Sequence, residues 1–305
     1  MGVARRGRRE RPYRVMRARP RTTPSRRPAP HLGIAGHAET SSERGMRCAM
    51  PPTTPERYAV VSCHVERPLD DDVWAELAAL QERRPGGLAI AALLRPPDPD
   101  AGERDEGTWL RRAQDAARRG PLGHHTHFTS PTHARPTGGD PGDRVRREGA
   151  WLADRDLAPT LFCGGGWYTD DGVAAACAAL GYVDCTPRVE RPSYLAEDDA
   201  WAQLAEPARI ELDGRTLRAV PTTHGAGDLA RALVRRRLPP RIHAYFHDTD
   251  LVVPRRRALI VAALTLLGRR RPATNLDAVA AAALDDCPLV RWSDVARGVT
   301  ASPRA

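Results

Sequence analysis

The sequence predicts a parallel α/β barrel preceded by a tail that has no fold of its own. Three observations carry that prediction. From Tyr58 onward, strand-like apolar runs alternate with helix-like segments seven or eight times. The runs are apolar almost throughout, as parallel strands buried on both faces are. No glycine-rich phosphate loop follows the first run, which weighs against the main rival, a doubly wound open sheet.

The strand-like runs are YAVVSCH (58–64), GLAIAALL (87–94), PLGHHTH (121–127), PTLFCG (159–164), YVDCTP (182–187), LRAVPTT (217–223) and RIHAYFH (241–247), and PLVRW (288–292) offers an eighth. Between them, DDVWAELAALQERR (71–84) begins acidic and ends basic, as the helix dipole favours. Asp70, Asp71 and Asp72 stand where a first helical turn wants acids. Further helices are expected over 107–119, 140–156, 170–181 and 255–270. The last contains ALIVAALTLLG (258–268), too short to span a bilayer and flanked by arginines, so it reads as a barrel helix packed on the sheet.

Composition narrows the function. The 305 residues contain no lysine; all 47 basic residues are arginine. Schiff-base chemistry, pyridoxal-phosphate catalysis and a Walker-type P-loop each need a lysine amine and are excluded. The net charge of +9 is concentrated at the start: residues 1–50 hold 13 Arg against Glu10, Glu39 and Glu43, so the rest of the chain is close to neutral. No overall nucleic-acid-binding field is expected for the folded part. Residues 1–57, rich in Arg and Pro, read as a disordered tail, and Met46 or Met50 as the true start; residues 58–305 read as one barrel domain. No signal peptide and no membrane-spanning stretch is recognisable, so a cytoplasmic location is expected. The six cysteines form no CxxC pair; Cys63, Cys163 and Cys185 fall near strand ends, where a thiol could approach a site.

The chemistry gathers at one end of the runs. Eight of the ten histidines lie between Cys63 and Asp248, and seven of those stand at or near the end of an apolar run. In a parallel barrel, C-terminal strand ends face one shared pocket. In His125-Thr126-His127 the two imidazoles share a face, because residues i and i+2 of a strand do. That is the arrangement that lets two rings reach one ion. His64 and Glu66 share a face in the same way, and a carboxylate beside two histidines leaves coordination positions open for water. His247-Asp248 places an imidazole beside an acid, a pair suited to proton transfer. In Cys163-Gly164-Gly165-Gly166-Trp167-Tyr168 the glycines, Gly165 among them, let backbone approach a ligand, and Trp167 and Tyr168 suit stacking on a sugar ring or an apolar group. His224, a lone histidine after PTT, reads as structural; His133 lies in a loop that could fold back over the site.

The order of these strand ends resembles the polysaccharide deacetylase family, the NodB-homology domain, over about residues 58–297. GHHTHF (123–128) is similar to its second motif, a His-Ser/Thr pair with a further His three positions on. His125 and Thr126 match; the further His falls on Thr129, so His127 or His133 has to replace it. VSCHVE (61–66) stands where the family has paired aspartates, with His64 in place of the base, Val65 in place of the metal ligand and Glu66 as the nearby carboxylate. LFCGGGWY (161–168) stands where an Arg-x-Pro-aromatic motif belongs, and it has no Arg. YVDCTPR (182–188) resembles the strand of the acidic fourth motif, with Asp184 as candidate, and AYFHDTD (244–250) the final motif, whose general acid matches His247.

The resemblance implies a distorted (β/α)7 barrel and a metal-dependent hydrolase that removes an acetyl group from an N-acetyl sugar. It implies a divalent metal, zinc in most members, held here by His125, His127 and either Glu66 or His64. Glu66 or Asp248 would accept a proton, His247 would donate one to the leaving nitrogen, and Trp167, Tyr168 and Gly165 would line the acyl-sugar pocket. The expected partner is a carbohydrate or another small acylated molecule. Two other readings stay open. One is an amidohydrolase-like barrel acting on a small amide, although its HxH follows the first strand and HTH here follows the third. The other is an inactive relative that binds a glycan or a protein partner, in keeping with the missing aspartates.

Overall fold

The computed structural model describes residues 56–271, 273–282 and 286–298. All but two residues of the expected 1–57 tail lie outside that set, as do Met46, Met50 and Cys48. In chain order the elements are β1 (Tyr58–Val65), α1 (Asp71–Arg83), β2 (Ile90–Leu94), α2 (Glu106–Arg119), β3 (Leu122–Thr126), α3 (Pro141–Ala153), β4 (Leu161–Gly164), α4 (Asp171–Leu180) and β5 (Val183–Asp184). There follow β6 (Trp201–Ala202), β7 (Ala208–Leu212), β8 (Arg215–Ala219), β9 (His224–Gly225), α5 (Ala226–Val234), β10 (Arg241–His247), α6 (Pro254–Arg270), α7 (Leu276–Ala282), β11 (Leu289–Arg291), α8 (Trp292–Val295) and β12 (Ala296–Arg297). Asp70, Asp105, Asp140 and Asp170 each accept a backbone N–H in the first turn of α1, α2, α3 and α4, which fixes where those helices begin.

The principal sheet runs β11-β7-β8-β5-β4-β3-β2-β1-β10-β9, parallel throughout except between β7 and β8. Its closure lies in one run of chain. β8 pairs with β5, and Val220 still donates to the Asp184 carbonyl; two residues after Pro221 the run has changed neighbours, Thr223 donating to the His243 carbonyl and β9 pairing with β10. Pro221 has no N–H to give to a ladder, so the switch falls where pairing is already broken. The run expected as a single strand over 217–223 thus closes a seven-membered α/β barrel, β1 to β5, β8/β9 and β10.

Alternation along the strands separates an inside from an outside. From β1, Ala59, Val61, Cys63 and Val65 pack outward with Leu77 of α1 and with Ile260 and Leu264 of α6. Tyr58 and Val60 face inward with Ala91, Leu93, Leu161, Cys163, Val183, Cys185 and Val220. Leu276 and Val279 of α7 join that inner cluster. The segment ALIVAALTLLG accordingly lies in α6 and buries Ile260, Ala263, Leu264 and Leu267 against the sheet. Among the described residues no helix is long and apolar enough to cross a membrane.

Two features depart from expectation. PLVRW does form a strand, β11, but it pairs with β7 at the outer edge of the sheet and is not an eighth barrel strand. The β7–β8 hairpin, inserted after β5, was not anticipated; Asp213 and Gly214 turn it, both with positive φ (46° and 74°), as a two-residue hairpin turn requires.

Candidate metal centre

The inward alternation that buries Val60 also sets the polar layers above it. On β1 it turns Ser62 and His64 inward, on β10 His243, Tyr245 and His247, and on β3 Gly123 and His125. Ser62 and His243 meet at 2.9 Å in a buried layer, with Thr222 at 3.3 Å from the other ring nitrogen; burial holds the His243 imidazole down at about 4, hence neutral. One layer nearer the strand ends, His64 lies with its ring centroid 4.7 Å from His125, 5.3 Å from His247, 5.4 Å from Trp167 and 5.2 Å from Tyr245. His125 and His127 follow at 5.0 Å. The structure therefore brings His64, His125, His127 and His247 together at one mouth of the barrel.

The hydrogen bonds decide which ring atoms face that mouth. His125 donates from Nδ1 to the Cys163 carbonyl at 2.8 Å, and His127 donates from Nδ1 to the Pro131 carbonyl at 2.9 Å. Each bond fixes the ring's orientation and, in the neutral ring, the tautomer whose lone pair lies on Nε2. The Nε2 atoms of His64, His125 and His127 are all buried and have no hydrogen-bond partner among the described residues. Burial drives the His64 and His125 imidazoles well below their ordinary value, with neighbouring histidines adding to it, so both are neutral. Buried ring nitrogens left without a partner cost the fold free energy unless something fills the space beside them. A cation fits two donor sets that share His125, and neither set holds all three of these rings.

Glu66 supplies the charge. Its Oε1 lies 3.5 Å from His127 Nε2 and 3.5 Å from His247 Nε2, longer than a good hydrogen bond. Burial pushes the Glu66 carboxyl up, but its contact with His127 and the nearby His247 outweigh that and hold the group at about 2. Two ligand sets of suitable type share His125: Glu66, His125 and His127, and deeper, His64, His125 and Cys163. In each, the candidate ligand atoms lie within 4.8 Å of one another. The first is the better match to a cation that must remain accessible, because Glu66 is 27% exposed whereas Cys163 is fully buried, and burial raises its thiol well above the ordinary value.

The remaining candidates divide. Trp167 is buried at the centre's edge; its left-handed backbone (φ 58°), following Gly166 (φ 60°), aims the ring at His64. Tyr168, its neighbour, turns away to pack on Phe128 at 5.0 Å and to bond Asp170 at 2.5 Å, so it does not share the imidazole cluster. Gly165 abuts the centre: a Cβ there would meet His127 Cδ2 at 2.8 Å. Asp248 is buried, with one carboxylate oxygen accepting from Arg67 N at 2.9 Å and the other from Thr249 N at 2.8 Å; it clasps the loops after β1 and β10 together. His247 is 37% exposed at the rim, its backbone N–H bonded to Asp250. His133 is exposed in a turn with Ser130, and Val65 points into the helical layer, so neither reaches the cluster. His124 lies on the outer face of β3, bonded to Glu148 at 2.9 Å and Thr126 at 3.0 Å. Asp184 also faces outward, away from the centre; it accepts from Thr186 N, and burial raises its carboxyl to about 6.

Two residues of the centre escaped the sequence reading. Tyr245 stacks on His64, and its position between His243 and His247 in a period-two series signals the same inward face. Arg188 stands over the rings of Trp167 at 4.4 Å and Tyr245 at 5.2 Å.

No family model matches the chain, and no curated protein does either. Among solved structures the chain is similar to a 4-alpha-glucanotransferase from Thermococcus litoralis (TM-score 0.42, 11% identity, 77% of this chain and 37% of that one). It is also similar to a family 4 carbohydrate esterase from Streptomyces lividans in complex with acetate (TM-score 0.38, 13% identity, 81% of this chain and 98% of that one). The chain thus spans little more than a third of the glucanotransferase's length. Neither likeness is strong enough to carry chemistry from one protein to another.

Proposed function

We propose that this chain is a metal-dependent hydrolase of the deacetylase type, which removes an acyl group from an N-acetyl sugar. The observation that carries the reading is the set of Glu66, His125 and His127 at the barrel mouth, whose candidate ligand atoms lie within 4.8 Å of one another and whose two Nε2 atoms are buried with no hydrogen-bond partner among the described residues. Glu66, His125 and His127 would hold the ion, with His64 beside them. A bound divalent ion, zinc being the best match to imidazole and carboxylate, supplies Lewis acidity toward a carbonyl and acidifies water. The protein's own groups do the rest. The Cys163 and Pro131 carbonyls keep the two β3-end rings in the tautomer that presents Nε2 inward. Glu66, ionised and partly open to solvent, would serve the ion through one carboxylate oxygen and leave the other to accept the proton of an attacking water. His247, at the rim and next to Glu66, is placed to protonate the departing nitrogen. Asp248, each of whose oxygens accepts a backbone N–H and whose carboxyl burial raises to about 6, positions the loop that carries Glu66 and is the second candidate to accept a proton. Trp167 walls the pocket against water.

Acetate release from N-acetyl sugars tests the reading. Release that stops on chelation and returns with zinc is the expected result. Release unchanged by chelation would overturn it, and bound metal without turnover would favour a glycan-binding relative.

A further inference from the structure

Beside the imidazole cluster lies a cavity of about 700 Å³. Trp167 and Tyr245 are common to both: each ring contacts His64, and each lies under the Arg188 guanidinium. Six arginines line the cavity (Arg188, Arg191, Arg231, Arg235, Arg237 and Arg241) against two acids, Glu190 and Asp228. Arg231 is spent on Asp228 and Arg241 on Glu206. Arg188, Arg191, Arg235 and Arg237 have no carboxylate partner among the described residues, so the space is strongly positive.

Arg188 is the group built for a ligand. Its backbone is fixed by bonds from its N–H to the Ala202 carbonyl (3.0 Å) and from Leu204 N to its own carbonyl (2.9 Å). Its guanidinium is clamped on two aromatic faces. Yet Nε and Nη1 are buried with no hydrogen-bond partner among the described residues. A charged donor in that state is costly unless an acceptor arrives, and an oxyanion is the acceptor that best matches a guanidinium.

We propose that this cavity is an oxyanion subsite, and that the molecule processed at the adjoining centre carries a phosphate, sulfate or carboxylate group held by Arg188. The proposal rests on the hydrolase reading only in calling the bound molecule a substrate; the anion site itself needs no metal.

The test is calorimetric titration of the full chain with inorganic phosphate, sulfate and acetate, each on chelator-treated and on zinc-supplemented protein. Binding of at least one anion, equal with and without zinc, is expected, and the tightest names the group. Arg188→Gln should weaken it about 10- to 100-fold, the loss expected for charge-assisted bonds. Arg188→Lys, which keeps charge but loses the fork, should fall between, and it carries the comparison if the glutamine variant does not fold. No binding by any of the three at tens of millimolar would overturn the proposal. So would unchanged affinity in the Arg188 variants, or binding seen only with zinc, which would put the anion on the metal. Binding that persists in protein unable to take up zinc sinks the metal reading and leaves the anion site standing.

Discussion

Replacing Gly165 by alanine drives a methyl group into the wall of the centre. Its Cβ would stand 2.7 Å from the Thr126 carbonyl oxygen, 2.8 Å from His127 Cδ2 and 3.0 Å from Ala134 Cβ, where ordinary contact begins near 3.4 Å. The carbonyl belongs to the end of a barrel strand and cannot withdraw, so the His127 ring or the loop must yield by about half an ångström, several times the ~0.2 Å tolerance of a metal–ligand distance. The ring is tethered by its bond to the Pro131 carbonyl, so the displacement passes to Nε2. Overpacking of this kind costs about 1–3 kcal/mol, and in a domain this size each kcal/mol lowers the melting temperature by roughly 2–4 °C. Misplacing one ligand by disturbing its support lowers metal affinity about 10- to 100-fold. Zinc titration against a competing chromophoric chelator reads the affinity, and calorimetry reads the melting temperature. Gly138→Ala, with nothing among the described residues within 4 Å of the added Cβ, is the control and should match wild type in both. A Gly165→Ala protein that binds zinc as tightly as wild type would refute the placement of His127 in the ligand set.

Three further outcomes follow from the structure. Asp184 is fully buried, and burial raises its carboxyl from 3.8 to about 6. The folded state therefore holds that proton more tightly than the unfolded state, and its contribution is fully present below about pH 4 and lost as pH rises through 6, a loss of about 3 kcal/mol. Asp184→Asn should remove that loss, so its stability relative to wild type, from urea unfolding, should rise between pH 4 and pH 7; a constant difference would contradict the assignment. His124→Ala should leave zinc affinity unchanged while destabilising the fold by about 1–3 kcal/mol, since Glu148 and Thr126 lose a buried partner; lost zinc affinity would show that β3 presents the wrong face. Trp167→Ala, which opens the wall beside His64 and also removes one face of the Arg188 clamp, should leave metal stoichiometry intact and weaken phosphate binding; loss of the metal would place Trp167 among the supports of the centre.

Much of this was legible in the residues themselves. Continuous apolar runs with buried flanking helices reveal the barrel strands, because a strand covered on both faces has no polar side to show. Period-two spacing places His125 with His127 and His64 with Glu66, and separates His124 from them. Other features depend on contacts between distant segments. The bare Nε2 of His125 and of His127 exists because carbonyls of Cys163 and Pro131 take the other nitrogen, and no local pattern reveals that. Trp167 and Tyr168 look equivalent in sequence, yet the left-handed backbone at Trp167 sends the two rings to different neighbours. Arg188 is one arginine among many until Trp167, from the β4 loop, and Tyr245, from β10, close on it. The β7–β8 hairpin was within reach: ARIEL and RTLRA alternate around Asp213-Gly214, the strongest short-range hairpin signal. The run through Pro221 reads as one strand because the exchange of partners there leaves no mark on hydrophobicity.

The direct test is the metal content of the purified full chain after equilibration with zinc, compared with His125→Ala and His133→Ala. His125 belongs to both ligand sets, while His133 is exposed in a turn outside them. One zinc per chain in wild type and in His133→Ala, and none retained by His125→Ala, is the predicted pattern. Wild-type protein that takes up no zinc, or a His125→Ala variant that retains it fully, would contradict the existence of the centre.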